Sequence, residues 1–342
     1  MLPVVGMALM SCHNPVYDYE GDCEPHYYVK FVYDMNMQWA DAFSSQVNSV
    51  ELYVFDPQTG EIVKRFEEFD TSVLSSPGYL MPLDLEPGNY QFVAWCGLEN
   101  NMENLFSLPS TRTRVEEVHC RMHRDYDDKG NAFQDKQLHH LFYGSLDATL
   151  PDEEGTYVYQ VDLIKNTNNI SISLQHVSGQ PLTADMFNVE MTEGNGHLKH
   201  DNSLMDDEDI SYRPWHLRDG AMDIGGMKAE NDDETLNFFM AELSTCRLMK
   251  DRDPRINITD SSTGELIYSI PIVKWATTFR SQQFADVNNE IHVVYDDQEY
   301  LDRENQYNIM LYLDNKEDGG WLTATIYINS WRVVTSQYEV ED

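Results

Sequence analysis

Residues 47–63 read VNSVELYVFDPQTGEIV. Val50, Leu52 and Val54 alternate with Glu51, Tyr53 and Phe55, the two-residue period of a β-strand. Asp56-Pro57-Gln58-Thr59-Gly60 is turn chemistry: Pro57 presets φ for a bend, and Gly60 accepts a positive φ. Glu61-Ile62-Val63 opens a second strand, so the segment predicts a β-hairpin. The unit recurs as INITDSSTGELIYSI, where Asp260-Ser261-Ser262-Thr263-Gly264-Glu265-Leu266-Ile267 repeats the pattern D-x-x-T-G-E-aliphatic-aliphatic. A spacing this long does not fit a solenoid array. It predicts two β domains of related design, each built around such a hairpin. The alternative is one favourable turn chemistry reached twice.

Further strands follow from the same period. Residues 27–33 (YYVKFVY) form a first strand, and L-x-L-x-P-G-x-Y-x-F-x-A-W over 83–95 is a hairpin turning at Glu86-Pro87-Gly88-Asn89. Residues 114–121, 139–150 and 156–164 supply more strands, with 126–137 a polar loop between them. Residues 35–43 lack a two-residue period and read as a loop or short helical turn. Lys165-Asn166-Thr167-Asn168 is a polar knot that places a domain boundary at 165/166. Beyond it, Ile170-Ser171-Ile172-Ser173-Leu174 alternates cleanly, and strands are expected at 187–191, 235–242, 255–259, 265–270, 307–313 and 321–334. Residues 202–227 read as a long polar stretch. Trp275, Phe279 and Phe284 share one helical face, which makes 273–290 the one helix expected. Many short strands divided by turns give an all-β chain of two tandem Greek-key β-sandwich domains, 25–165 and 166–342.

The chain has 342 residues, enough for two cores, and 23 basic against 59 acidic residues give a formal charge of −36. Such a surface is repelled by phosphate backbones and by anionic membranes, which excludes nucleic-acid binding and polybasic membrane contact. Residues 1–11, MLPVVGMALMS, are apolar and end in small residues, as a secretory segment does, and are too short to span a bilayer. Leu9-Met10-Ser11-Cys12 resembles a bacterial lipobox, so Cys12 is the expected lipidation site. No Lys or Arg precedes Cys12, so the signal segment reads as trimmed at its start. Residues 12–24 form an acidic tether. Cys23, Cys96, Cys120 and Cys246 allow three pairings, and none is assigned; Cys96 reads as a small apolar residue of a buried strand.

No catalytic, metal or cofactor site emerges. In Asp125-Tyr126-Asp127-Asp128-Lys129-Gly130-Asn131, lysines stand at the fifth and twelfth places of a would-be calcium loop (Lys129, Lys136) and would repel the ion. His119 and Cys120 are neighbours on a strand and face opposite ways, so with His123 they make no zinc cluster. The D-x-x-T-G turns are not an aspartic-protease Asp-Thr-Gly, and no nucleophile elbow, zincin motif or phosphate loop is present. Trp39, Trp215, Trp275, Trp321 and Trp331 are candidates for stacking on sugars, although single aromatics in β domains usually serve the core.

YYVKFVYDMN, ADAFSSQVNSVELYVFD and LDLEPGNYQFVAW resemble the first domain of the fimbrillin-A-associated anchor lipoproteins. DNSLM, SYRPW, AELSTCRLM, PRINITDSSTGELI, QEYLDRENQYNIMLYLD and ATIYINSWRV are similar to the second, so the likeness spans about 25–335. Ser330 stands where the family often has Gly. The resemblance implies two transthyretin-like sandwiches in a non-catalytic surface lipoprotein at the base of a type V pilus. It implies a shaft pilin as partner through donor-strand addition, the outer membrane as a second attachment through the N-terminal lipid, and no small-molecule substrate. It also implies that shaft pilins lose their first strand to an arginine-specific protease and receive a neighbour's strand in its place. Here no Arg lies between Cys12 and residues 27–33; the first in the chain is Arg65. The expectation is an anchor whose first strand stays in place, with residues 333–340, including Val334, Tyr338 and Val340, as a possible donor strand. A tip or accessory subunit or adhesin of the same fold, or a surface glycan-binding protein, are the alternatives.

Overall fold

The computed structural model describes residues 24–98, 105–223, 235–280, 296–316, 320–329 and 331–333. In chain order the first half contains β1 (Pro25–Val32), α1 (Phe43–Gln46), β2 (Val50–Phe55), β3 (Ile62–Glu68), α2 (Thr71–Leu74), β4 (Met81–Leu83) and β5 (Gly88–Cys96). There follow β6 (Phe106–Ser107), a 3-10 turn (Val115–Glu117), β7 (Cys120–Met122), β8 (Asp125–Tyr126), β9 (Ala132–Gln134), β10 (Phe142–Leu150), β11 (Gly155–Asp162) and β12 (Ile164–Lys165). The second half runs through β13 (Thr167–His176), β14 (Phe187–Glu193), β15 (His197–Leu198), β16 (Ile210–Tyr212), β17 (His216–Asp223), β18 (Thr235–Cys246), β19 (Arg255–Asp260) and β20 (Leu266–Pro271). It closes with α3 (Ile272–Arg280), α4 (Asp297–Arg303), β21 (Gln306–Asn315), β22 (Trp321–Ile328) and β23 (Trp331–Val333).

The two halves share one strand plan. In the first, β11-β1-β4 faces β3-β2-β5-β10-β12; in the second, β17-β18-β13-β21-β22-β23 faces β20-β19-β14-β16. Each half opens with a strand (β1, β13) that runs parallel to a late strand (β11, β21) and antiparallel to a middle one (β4, β18). Both halves are thus Greek-key β-sandwiches of related design.

The hairpin chemistry is confirmed atom by atom, but its place in the plan differs. Asp56 Oδ1 accepts from the amides of Gln58 and Thr59, and Asp260 Oδ1 accepts from those of Ser262 and Thr263. In both turns the Gly amide donates to the Asp carbonyl at 2.8 Å, and φ is +69° at Gly60 and +72° at Gly264. Register slips by one residue between Val54 and Phe55, and again between Ile258 and Thr259. The first turn joins β2 to β3, the second and third strands of its sandwich. The second joins β19 to β20, the sixth and seventh strands of theirs. The two sandwiches are alike, but this turn is one solution reached at two different corners, because an Asx side chain and a positive-φ glycine suit any short hairpin.

Strand β2 departs from the expected alternation: all six residues are buried. Leu52, Val54, Phe92, Ala94, Cys96 and Phe142 face the core of the first sandwich, while Tyr53, Phe55, Val93, Trp95 and Tyr143 face the other way into a second, larger core. That face is covered by the long connection between β5 and β10, which contributes Phe106, Val118, Cys120, Met122 and Leu138. Trp95 Nε1 donates to the Val118 carbonyl at 3.2 Å across this contact. The connection also extends the second half: β9 runs parallel to β16, and β7 pairs with β15.

Four other segments differ from the sequence reading. Over 114–121 the chain makes a 3-10 turn before β7, because the Glu117 carboxylate caps the amides of Thr113 and Arg114. The expected loop 126–137 carries most of the short hairpin β8–β9, and 202–223 contain β16 and all of β17, pairings too short or too distant for periodicity to show. Helix α3 starts at Ile272, one residue ahead of the expected 273–290, whose residues from 281 on lie outside the described ones. Helix α4 was not expected; Asp296 caps it by accepting from Glu299 N at 2.9 Å.

Candidate functional site

Strand β1 is short, central and held on both sides. Its register with β11 runs over eight pairs, Pro25 with Gly155 to Val32 with Asp162, and with β4 over Tyr27–Leu83, Tyr28–Pro82 and Val29–Met81. The alternation of YYVKFVY sends Tyr27, Val29 and Phe31 inward, each at most 3% exposed. There they meet Leu52, Val54, Phe92, Leu150 and Val161 of the first core. Phe31 stacks on Phe43 at 5.8 Å with the rings 16° from parallel. The Tyr27 hydroxyl donates to the Pro151 carbonyl. Taking β1 out would expose this core and leave two strand edges unpaired.

The end of β1 is clasped by the second half. Leu163 N donates to the Val32 carbonyl at 2.8 Å, and Tyr33 N donates to Asp41 Oδ1 at 3.0 Å. Asn305 Nδ2 donates to the Tyr33 hydroxyl at 3.1 Å, and Arg303 Nη1 to the Asp34 carbonyl at 3.0 Å. The Arg303 guanidinium lies 3.6 Å from the Trp39 ring centroid, so this tryptophan serves the clasp between halves. Burial pushes the Tyr33 hydroxyl up to about 12, and the Asn305 hydrogen bond draws it partly back.

Buried polar groups surround the junction, where the sequence showed only a polar knot. Asn166 and Asn202 exchange side-chain hydrogen bonds in the interior. Arg247 meets Asp302 in a two-bond fork at 2.7 Å and donates to the Asn202 carbonyl at 2.6 Å. Lys165 is buried, and desolvation pulls its ammonium down to about 8. Nearby, burial and then the Lys165 charge push His140 down to about 4.

The other sequence candidates are placed as follows. Cys12, Cys23, the tether up to residue 23 and the tail from Val334, with Tyr338 and Val340, lie outside the described residues. Cys96, Cys120 and Cys246 are buried free thiols. Arg65 sits on β3, paired with Glu51 and Glu67 at 2.9 and 2.8 Å. Asp127 Oδ1 accepts from the amides of Lys129 and Asn131, so its carboxylate serves the β8–β9 turn. His119 and Cys120 do face opposite ways, with Cys120 in the core, but His119 meets a partner not anticipated, His197, at 2.7 Å. Trp321 packs on Phe187 and Trp275 on Tyr268. Among the described residues, no group of three or more His, Cys, Asp or Glu is arranged to hold a metal ion.

The sequence profile of the fimbrillin-A associated anchor proteins Mfa1 and Mfa2 matches residues 19–337. The chain belongs to the Mfa2 family. Two solved structures from Bacteroides thetaiotaomicron are similar over 92% of this chain and 99% of theirs. One, described as a candidate adhesin, is 29% identical with a TM-score of 0.75. The other, described as a candidate polysaccharide-binding protein, is 28% identical with a TM-score of 0.73. The fimbrial anchor protein Mfa2 of Porphyromonas gingivalis shares the fold at 18% identity, with a TM-score of 0.64 over 92% of this chain and all of that one. No curated protein sequence matches. Membership of the Mfa2 family makes the chain a fimbria-associated anchor or adhesin of the cell surface or outer membrane; the family and the fold are those of fimbrial structural proteins and not of enzymes.

Proposed function

We propose that this Mfa2-family protein holds a fimbria to the outer membrane at its base and ends the polymer there. The observation that carries the reading is β1: complete, inward-facing and hydrogen-bonded along its length in the groove of the first sandwich. Shaft growth by donor-strand addition needs that groove open, since main-chain pairing gives the affinity and alternate side chains fill the pockets. With no Arg ahead of Arg65, an arginine-specific protease has no site that would release β1. The groove stays filled by the chain's own strand, and the uncut segment keeps Cys12 joined to the folded protein. Acylation of Cys12, with more than one acyl chain, supplies firm membrane attachment, because a single chain holds only marginally. Two domains, 25–165 and 166–342, divide the work, the first closed to donors and the second offering residues 333–340 to the adjoining pilin.

The test is an Arg inserted after Gln38, in the exposed connection between β1 and α1, in protein expressed with its pilin and protease. Cleavage at the insertion, with longer or shed fimbriae, is the expected outcome. Fimbriae of unchanged length despite complete cleavage would remove the terminator role. A Cys12→Ala variant that still takes up palmitate and still fractionates with the outer membrane would remove the lipid anchor.

A further inference from the structure

The segment His119-Cys120-Arg121-Met122-His123 alternates basic and apolar residues, and the structure gives that alternation a purpose. Cys120 and Met122 enter the core at 1% exposure each, so His119, Arg121 and His123 share the outward face of β7. Strand β15 sets His197 opposite Arg121 on one side, and β6 sets Ser107 opposite it on the other. His123 Nε2 lies 2.7 Å from Ser107 Oγ. A chain of charge −36 thus gathers three histidines and an arginine on one small sheet.

Beside this row opens a cleft of about 690 Å³, lined by Ser107, Arg121, His123, Arg124, Asp125 and Tyr126 among others. Its volume is in the range of small-molecule sites. The two arginines play different parts. Arg124 is buried and forked onto both oxygens of Asp207 at 2.8 Å, so its donors are committed. The Arg121 side chain is half exposed, and its contact with Glu208 is a loose 3.5 Å. Its guanidinium can turn to a ligand carboxylate, for which a planar two-bond fork is the preferred partner. Tyr126 stands at the rim, half exposed, its hydroxyl donating to Glu208 Oε1 at 2.8 Å, which leaves the ring to face a ligand. Asp125, Ser107 and His123 offer acceptors and donors for hydroxyl groups. Asp125, Glu208 and the field of the whole chain oppose any ligand carrying several negative charges.

We propose that this cleft binds a sugar unit bearing a single carboxylate, of the uronic-acid class, with Arg121 on the carboxylate and Tyr126 against the ring. The inference is independent of the anchoring role. It is tested by isothermal titration of the full chain with D-glucuronate, D-galacturonate, D-glucose, D-galactose, sodium acetate and inorganic phosphate. At least one uronate should bind about tenfold or more tighter than its neutral counterpart and than acetate or phosphate. Arg121→Gln and Tyr126→Ala should each weaken that binding about tenfold or more with unchanged thermal unfolding, since both side chains are exposed. Should Arg121→Gln unfold, Arg121→Lys keeps the charge, loses the fork and should still weaken uronate binding. No uronate binding, equal binding of uronate and neutral sugar, acetate or phosphate as tight as uronate, or affinity indifferent to Arg121 would each overturn the proposal.

Discussion

Replacing Phe31 by Ala tests how firmly β1 holds its groove. The ring is 2% exposed and stacks on Phe43 at 5.8 Å, and its residue pairs with Val161 of β11. Truncating a fully buried Phe removes its transfer free energy and leaves a cavity, together about 3–5 kcal/mol. The lost ring pair accounts for about 1 kcal/mol of that. Urea unfolding should show the loss, and hydrogen exchange should show faster opening of β1 amides than of those in β5 or β13. Val63→Ala, on the exposed edge strand β3, is the control and should change stability by less than about 0.5 kcal/mol. The loosened strand should also let a peptide matching the pilin donor strand bind where the parent protein excludes it. A loss below about 1 kcal/mol for Phe31→Ala, or β1 amides that exchange freely in the parent protein, would refute the reasoning.

Further outcomes follow from charge and backbone. The folded pKa of His140, about 4, lies below the ordinary 6.5, so the unfolded chain takes up the proton first. Its contribution is complete above pH 6.5 and is lost as pH falls toward 4, at most about 3 kcal/mol; in His140→Gln the acid loss in urea stability should be smaller by part of that. Lys165 is also depressed, to about 8 from 10.5, so its charged form disfavours the fold throughout neutral pH and the handicap fades as pH rises from 8 to 10.5. Lys165→Met should therefore stabilise the protein at pH 7, by about 1–3 kcal/mol in urea titrations. Gly60→Ala and Gly264→Ala should each cost about 1–2 kcal/mol and agree closely, because both glycines share a left-handed φ and no atom comes within 3.4 Å of an added Cβ.

The sequence showed most clearly what local chemistry decides. Asp56 and Asp260 announced their turns because an Asx side chain and a positive-φ glycine act within six residues. YYVKFVY announced β1 because one face is core and the other is not. What stayed hidden depends on distant partners. Strand β2 was expected to alternate, yet Tyr53 and Phe55 are buried by a connection that begins some forty residues later in the chain. Strands β6 to β9 are two or three residues long, and of these β7 and β9 pair with β15 and β16 in the other half. The clasp of Arg303 on Trp39 and Asp34 joins residues more than 260 positions apart, which no single-sequence pattern encodes. The basic row of β7 was legible as alternation in HCRMH, but it was read only for metal ligation. Cys12 rests on its lipobox-like context alone.

The most direct measurement is the mass of the N-terminal peptide of this protein in fimbriae isolated from the bacterium that makes it. The account predicts an acylated peptide beginning at Cys12 and continuing uncut through Val32. A mature N-terminus within or after β1 in assembled fimbriae would contradict it.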